Sequence, residues 1–120
     1  MSAALLLIDD DPVFRSLVRE LLFELGIEPI EQAESAAEAI AKAHTMRPRA
    51  ALVDVGLPDL DGIQLAHELA TLPWRPTVVL VSVDRDVAAR IGLSNAKTAI
   101  PFIPKDELPD APLRSLLRLD

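Results

Sequence analysis

The chain has 120 residues, half of them hydrophobic and 26% charged, which suits one globular domain with a sizeable core and excludes a disordered segment. Twelve basic residues against nineteen acidic leave a net charge of −7, unsuited to holding nucleic acid directly, and the lack of cysteine excludes disulfides, thiolate zinc sites and thiol nucleophiles. The N-terminal apolar run is five residues long without a basic leader and no segment approaches a membrane span, so the expectation is a cytoplasmic single domain, residues 1–120, with no membrane contact.

Apolar runs alternate with helical patterns five times, the sign of a βα-repeating parallel sheet. Strand 1 reads Ala4 to Ile8. Helix 1 follows with Val13, Phe14, Leu17, Val18, Leu21, Leu22 and Leu25 on one stripe, Asp11 as N-cap, Pro12 in the first turn and Gly26 at its end. Strand 2 is short, about Ile27 to Glu31; helix 2 opens on the capping-box pair Ser35 and Glu38 and runs to about Met46. Strand 3 is Ala50 to Val55, and the loop from Gly56 to Gly62 leads into helix 3, which reaches about Thr71. Strand 4 is Thr77 to Ser82, helix 4 about Asp86 to Leu93, strand 5 about Ala99 to Ile103 and helix 5 about Ala111 to Leu119.

Proline cannot donate to a ladder and is confined mainly to edges and strand ends. Strand 2 contains Pro29, and strand 5 contains Pro101 with Pro104 just after; strands 1, 3 and 4 have none and are almost wholly apolar, as strands covered on both faces should be. Right-handed crossovers then favour a doubly wound sheet in the order 2-1-3-4-5. Ligands of such a sheet sit beyond the carboxyl ends of the strands, at the switch between strands 1 and 3.

Acid gathers at that place. Asp9, Asp10 and Asp11 follow strand 1, and Asp54 ends strand 3. Like charges about 4 Å apart repel by roughly 4 kcal/mol at an effective dielectric near 20, so a cation is needed there. Capping accounts for Asp11 but not for Asp9 and Asp10, whose chemistry suits a hard, oxygen-seeking ion such as Mg²⁺. Asp54 stands where a free carboxylate is costly to desolvate, and no helix begins near enough to be capped by it. Asp61 reads as the N-cap of helix 3 and Asp59 as solvated. Ser82 brings a hydroxyl to the same sheet edge. Apart from Arg85 in the loop after strand 4, Lys105 is the only basic residue near a strand's carboxyl end, and it would supply the balancing charge.

Asp9-Asp10 with Arg15, the run from Asp54 through Pro58 to Asp61-Gly62, Ser82, and Phe102-Ile-Pro-Lys105 occur in order on the expected strand ends. Together they resemble the receiver domain of bacterial two-component response regulators over essentially the whole chain, and within that family the receivers that precede helix-turn-helix DNA-binding domains. The resemblance implies a flavodoxin-like α/β fold with five strands and five helices; the strand order above is the family's own.

It further implies that Asp54 accepts a phosphoryl group from a sensor histidine kinase or phosphotransfer protein. Asp10, Asp54 and the Gly56 carbonyl would bind Mg²⁺, with Asp9 acting through water. Lys105 and Ser82 would engage phosphoryl oxygens, and Ser82 and Phe102 would switch the face formed by helix 4, strand 5 and helix 5. Val83 and Asp84, after Ser82, would modulate access to Asp54, the bulk of Val83 narrowing it. Such a protein catalyses only its own phosphorylation and dephosphorylation. Implied partners are a C-terminal effector domain absent from this chain and a second copy docked through the switching face.

Two other readings fit the strand-end acids. One is a degenerate receiver that binds proteins without being phosphorylated. The other is a Mg²⁺-dependent phosphatase of the haloacid dehalogenase type, which needs two aspartates two residues apart, as Asp9 and Asp11 are. Trp74, between Pro73 and Pro76, reads as loop packing.

Overall fold

The computed structural model describes residues 4–84 and 100–119. In chain order these form β1 (Leu5–Ile8), α1 (Pro12–Glu24), β2 (Ile30–Ala33), α2 (Ala36–Met46), β3 (Ala50–Asp54), α3 (Gly62–Ala70), β4 (Thr77–Ser82), β5 (Phe102–Pro104), a 3₁₀ helix (Lys105–Asp110) and a short C-terminal α-helix (Leu113–Leu116). The strands make one parallel sheet in the order β2-β1-β3-β4-β5, the flavodoxin-like arrangement expected from proline placement. The fourth expected helix lies outside the described residues.

The alternation of side chains along each central strand divides the core in two. Leu6, Ile8, Ala51, Val53, Val78 and Leu80 face α2 and α3, while Leu5, Leu7, Ala50, Leu52, Val79 and Val81 face α1 and the C-terminal helix. Each fully buried leucine among them contributes roughly 2 kcal/mol by leaving water. Helix α2 is seated differently, for its fully buried residues are three alanines, Ala36, Ala39 and Ala43, packed in the same cluster as Ala33 and Ala51.

Four expectations shift. Strand 2 begins at Ile30 because Ile27 belongs to the end of α1: its N–H donates to the Leu22 carbonyl (2.9 Å), after a turn made at Gly26 with φ +75°. Pro29 therefore precedes the edge strand, its carbonyl accepting from Ala4 N–H at 2.9 Å. Strand 5 starts at Phe102, since Pro101 offers only its carbonyl, to Leu80 N–H at 2.8 Å. The closing helix shrinks to Leu113–Leu116 because Pro109 and Pro112 interrupt its approach, and residues 105–110 wind as 3₁₀ instead. On α1 the buried stripe is narrower than the apolar pattern: Val18 and Leu22 are buried, whereas Val13 and Leu17 stay 68% and 61% exposed.

The register sets the functional edge. Ile8 pairs with Val53, Val53 with Leu80, and Leu80 with Phe102. One step beyond that row Asp9 and Asp54 stand side by side; Ser82, paired with Pro104, is a step further, and Lys105 follows directly.

Candidate phosphoacceptor site

Asp9 continues the line of β1, its N–H donating to the Ala33 carbonyl at 3.0 Å, and is fully buried. Its Oδ1 accepts from Asp11 N–H at 2.9 Å. Its Oδ2 lies 2.7 Å from Lys105 Nζ, an ion-pair contact without hydrogen-bond geometry, so that oxygen has an opposite charge beside it but no hydrogen bond. Arg15 holds the residue from behind, donating from its guanidinium to the Asp9 carbonyl and through Nε to Gln32 Oε1 at 3.2 Å. Asp10 is exposed at the rim. Asp11 caps α1 through Val13 and Phe14 N–H (3.0 and 3.3 Å). That use of Asp11 removes the second acid of the dehalogenase-type pair.

Asp54 closes β3 with only 7% of its surface exposed. Its Oδ1 accepts from Gly56 N–H at 3.2 Å and its Oδ2 lies 3.6 Å from Lys105 Nζ. Burial pushes its carboxyl above the usual carboxylate range, and the charge of Asp9 adds to this; the Gly56 N–H and Lys105 pull the other way without cancelling it, and Asp10 adds a smaller upward push.

Lys105, at the start of the 3₁₀ helix, is the cation that makes this cluster tolerable. Its ammonium group contacts both acids and also sits 4.1 Å from the centre of the Phe14 ring, whose negative face attracts it. Ser82 is buried, and its Oγ accepts from Asp84 N–H at 3.0 Å, which leaves the hydroxyl hydrogen free to donate elsewhere. Val83 is 82% exposed and, with Phe14 and Lys105, lines a groove of about 550 Å³ between α1 and the 3₁₀ helix. Phe102 is half-buried against the α2–α3 side of the core. A larger concavity, of about 1010 Å³ beside Phe23 and Pro29, lies at the β2 edge and includes none of these residues.

The structure gives three residues roles that the sequence pattern does not assign them. Phe14 looked like one more apolar residue of α1. Gly62, the first residue of α3, lies so close to β3 that a Cβ there would fall 2.1 Å from the Asp54 carbonyl oxygen and 2.6 Å from Val55 Cα. Asp-Gly at a helix start could have suggested the need for a close approach. Asp59, expected to be solvated, instead accepts from Ala36 N–H (2.8 Å) and Ala37 N–H (3.0 Å) at the start of α2. Asp61 does cap α3, through Ile63 N–H at 2.9 Å.

Oxygens of Asp9, Asp10 and Asp54 lie within 4.8 Å of one another. An all-carboxylate set is hard-donor chemistry, and one of its oxygens is buried without a hydrogen bond, so the residues fit a small divalent cation.

A family model described as the response regulator receiver domain matches residues 5–115. The chain belongs to the receiver domain family. Receivers similar to it include a chemotaxis protein CheY from Bacillus subtilis, 26% identical over 82 residues that cover 68% of each protein. A protein-glutamate methylesterase/protein-glutamine glutaminase from Archaeoglobus fulgidus is 30% identical over 103 residues, 85% of this chain; the matched receiver spans 29% of that longer protein. Among solved structures, Vibrio cholerae CheY4 superposes with a TM-score of 0.80 at 23% identity, all of both chains being covered, which shows a shared fold. As a receiver the chain is a module of two-component signalling, and none of its described helices is long and apolar enough to cross a membrane.

Proposed function

We propose that this receiver takes a phosphoryl group onto Asp54 from a phosphohistidine of a sensor kinase or phosphotransfer protein. The observation that carries the reading is the position of Lys105 Nζ, 2.7 Å from Asp9 and 3.6 Å from Asp54. A cation shared between two buried strand-end acids can be handed to a third negative group arriving at the second acid.

Asp54 is the nucleophile. An Oδ attacks phosphorus, the new O–P bond forms as the P–N bond to imidazole breaks, and the imidazole leaves with the electron pair and takes up a proton. Burial holds the carboxylate poorly solvated and therefore reactive, while Lys105 favours its ionised form. The task is then positioning and charge neutralisation, since phosphoryl transfer needs little else from the protein. Asp9, Asp10, Asp54 and the Gly56 carbonyl would hold Mg²⁺, which when bound supplies positive charge for the phosphoryl oxygens. Lys105 turns from Asp9 towards one of those oxygens, and the Ser82 hydroxyl donates to another. Ser82 moves toward the phosphoryl group to make that bond, which gives Phe102 room to follow inward and biases β5 and the helices after it between two arrangements. The aspartyl phosphate hydrolyses slowly, so the domain acts as a timer and catalyses no chemistry beyond its own labelling and decay.

Treatment with a small phosphodonor, with and without Mg²⁺, followed by intact-mass measurement tests this. The expected result is a metal-dependent gain of one phosphoryl group in the wild type and none in Asp54→Asn. Labelling that persists in Asp54→Asn, or none in the wild type under any condition, overturns the reading.

A further inference from the structure

The β3–α3 loop carries Gly56 and ends at the Asp61 cap. At its base the Gly62 N–H donates to the Val55 carbonyl at 3.0 Å, and Leu57 and Leu60 rest partly buried on the core. The tip is fastened by Asp59, which reaches across to α2 with both carboxylate oxygens, one to Ala36 N–H and the other to Ala37 N–H.

Helix α2 already has a cap of its own. Ser35 Oγ accepts from Glu38 N–H at 3.2 Å, and the Glu38 carboxylate turns back to Glu34 N–H at 2.7 Å. The Ala37 donor is exposed and could be satisfied by water, whereas Ala36 is buried and its N–H relies on Asp59. The Asp59 bonds therefore serve the loop as well as the helix end, which already has the Ser35–Glu38 cap. Two charge-assisted bonds to adjacent N–H groups of a packed helix fix a carboxylate in direction as well as position. The same two donors hold its carboxyl below the ordinary range, so the clamp is ionised at neutral pH.

We infer that Asp59 is a positioning residue for the cation site: by tying the loop to α2 it sets where Gly56, three residues earlier, presents its carbonyl beside Asp54. The inference rests on the proposed cation-dependent reading of the site. An outer residue that orients a ligand typically changes metal affinity 10- to 100-fold when removed. Gly56 is one ligand among several, so the expected loss is about 10-fold, at the lower end.

The test is calorimetric titration of the metal-free chain with Mg²⁺, with urea unfolding and amide exchange of residues 55–60 measured alongside. Asp59→Ala should weaken Mg²⁺ about 10-fold and speed exchange in the loop. Asp59→Asn, which keeps one acceptor, should fall between it and the wild type and serves if the alanine variant folds poorly. Ser35→Ala weakens the same helix end without touching the loop, and should lower the urea midpoint while leaving Mg²⁺ affinity within about twofold of the wild type. Wild type and Asp59→Ala binding Mg²⁺ equally, or Ser35→Ala weakening it as much as Asp59→Ala, overturns the positioning role alone. A wild type that binds no Mg²⁺ overturns the cation reading beneath it.

Discussion

Replacing Gly62 with alanine should damage both the fold and the site, for a reason of space. The added Cβ would stand 2.1 Å from the Asp54 carbonyl oxygen, 2.6 Å from Val55 Cα and 2.8 Å from the Asp54 carbonyl carbon. Ordinary contacts are about 3.5 Å, so relief needs a movement of roughly 1 Å. All three atoms are backbone, and they belong to a strand end held between β1 and β4 by the Val55 N–H to Val81 carbonyl bond (3.0 Å) and the ladders below it. No flexible side chain can give way. Overpacking costs about 1–3 kcal/mol, and a backbone clash belongs at or above the top of that range. The better helix propensity of alanine returns at most about 1 kcal/mol, so the clash wins. A loss of about 2–3 kcal/mol in urea unfolding is expected. A displacement of about 1 Å at Asp54 should also slow phosphodonor labelling by about 100-fold. Gly26→Ala is the control: it has room, with only an Arg114 nitrogen at 3.5 Å, but its φ of +75° should cost about 1–2 kcal/mol and leave labelling unchanged. If Gly62→Ala unfolds within about 0.5 kcal/mol of the wild type, the close approach of α3 to β3 is not the rigid constraint described here.

Lys105→Met should destabilise the fold by about 3 kcal/mol, because it leaves the fully buried Asp9 charge without a partner; adding Asp9→Asn should recover most of that loss, and a double variant no more stable than the single would refute the pairing. Asp54→Asn should raise the melting temperature of the metal-free chain at neutral pH. The Asp54 carboxyl is held above its ordinary value of 3.8. Ionised Asp54 therefore costs stability as pH rises from the unfolded value through the folded one, and the advantage of the variant should vanish at pH below 3.8, where both states are protonated. An advantage independent of pH would show that charge is not its cause. Val83→Ala, at an 82% exposed position, should change stability by less than about 0.5 kcal/mol yet speed both phosphodonor labelling and decay; equal rates in the two proteins would remove Val83 from the control of access.

The sheet was legible because its central strands are buried on both faces and so leave uninterrupted apolar runs, while prolines mark the edges. Strand-end acids and one lysine were legible because charge beside such runs has few explanations. Boundaries next to proline were less so: Pro29, Pro101 and Pro104 signal an edge without saying on which side of the ring the ladder begins. The apolar pattern of α1 could not separate Val18 and Leu22, which meet the sheet, from Val13 and Leu17, which do not. Asp59 and Phe14 act across distances of 22 residues and more, through contacts that no local spacing encodes. Gly62 matters for a side chain it lacks, and only coordinates show what would have been struck.

Helix α2 rests on the sheet through three alanines, and that choice of side chain has a mechanical result. Methyl groups have no rotamers to lose, so this seat carries no side-chain ordering cost and lets the helix backbone lie close to the strands, with Ile40 packed beside it. On the proposed reading of the acidic edge, the rearrangement would then fall on the β5 flank, with α2 as the fixed post from which the rest is measured.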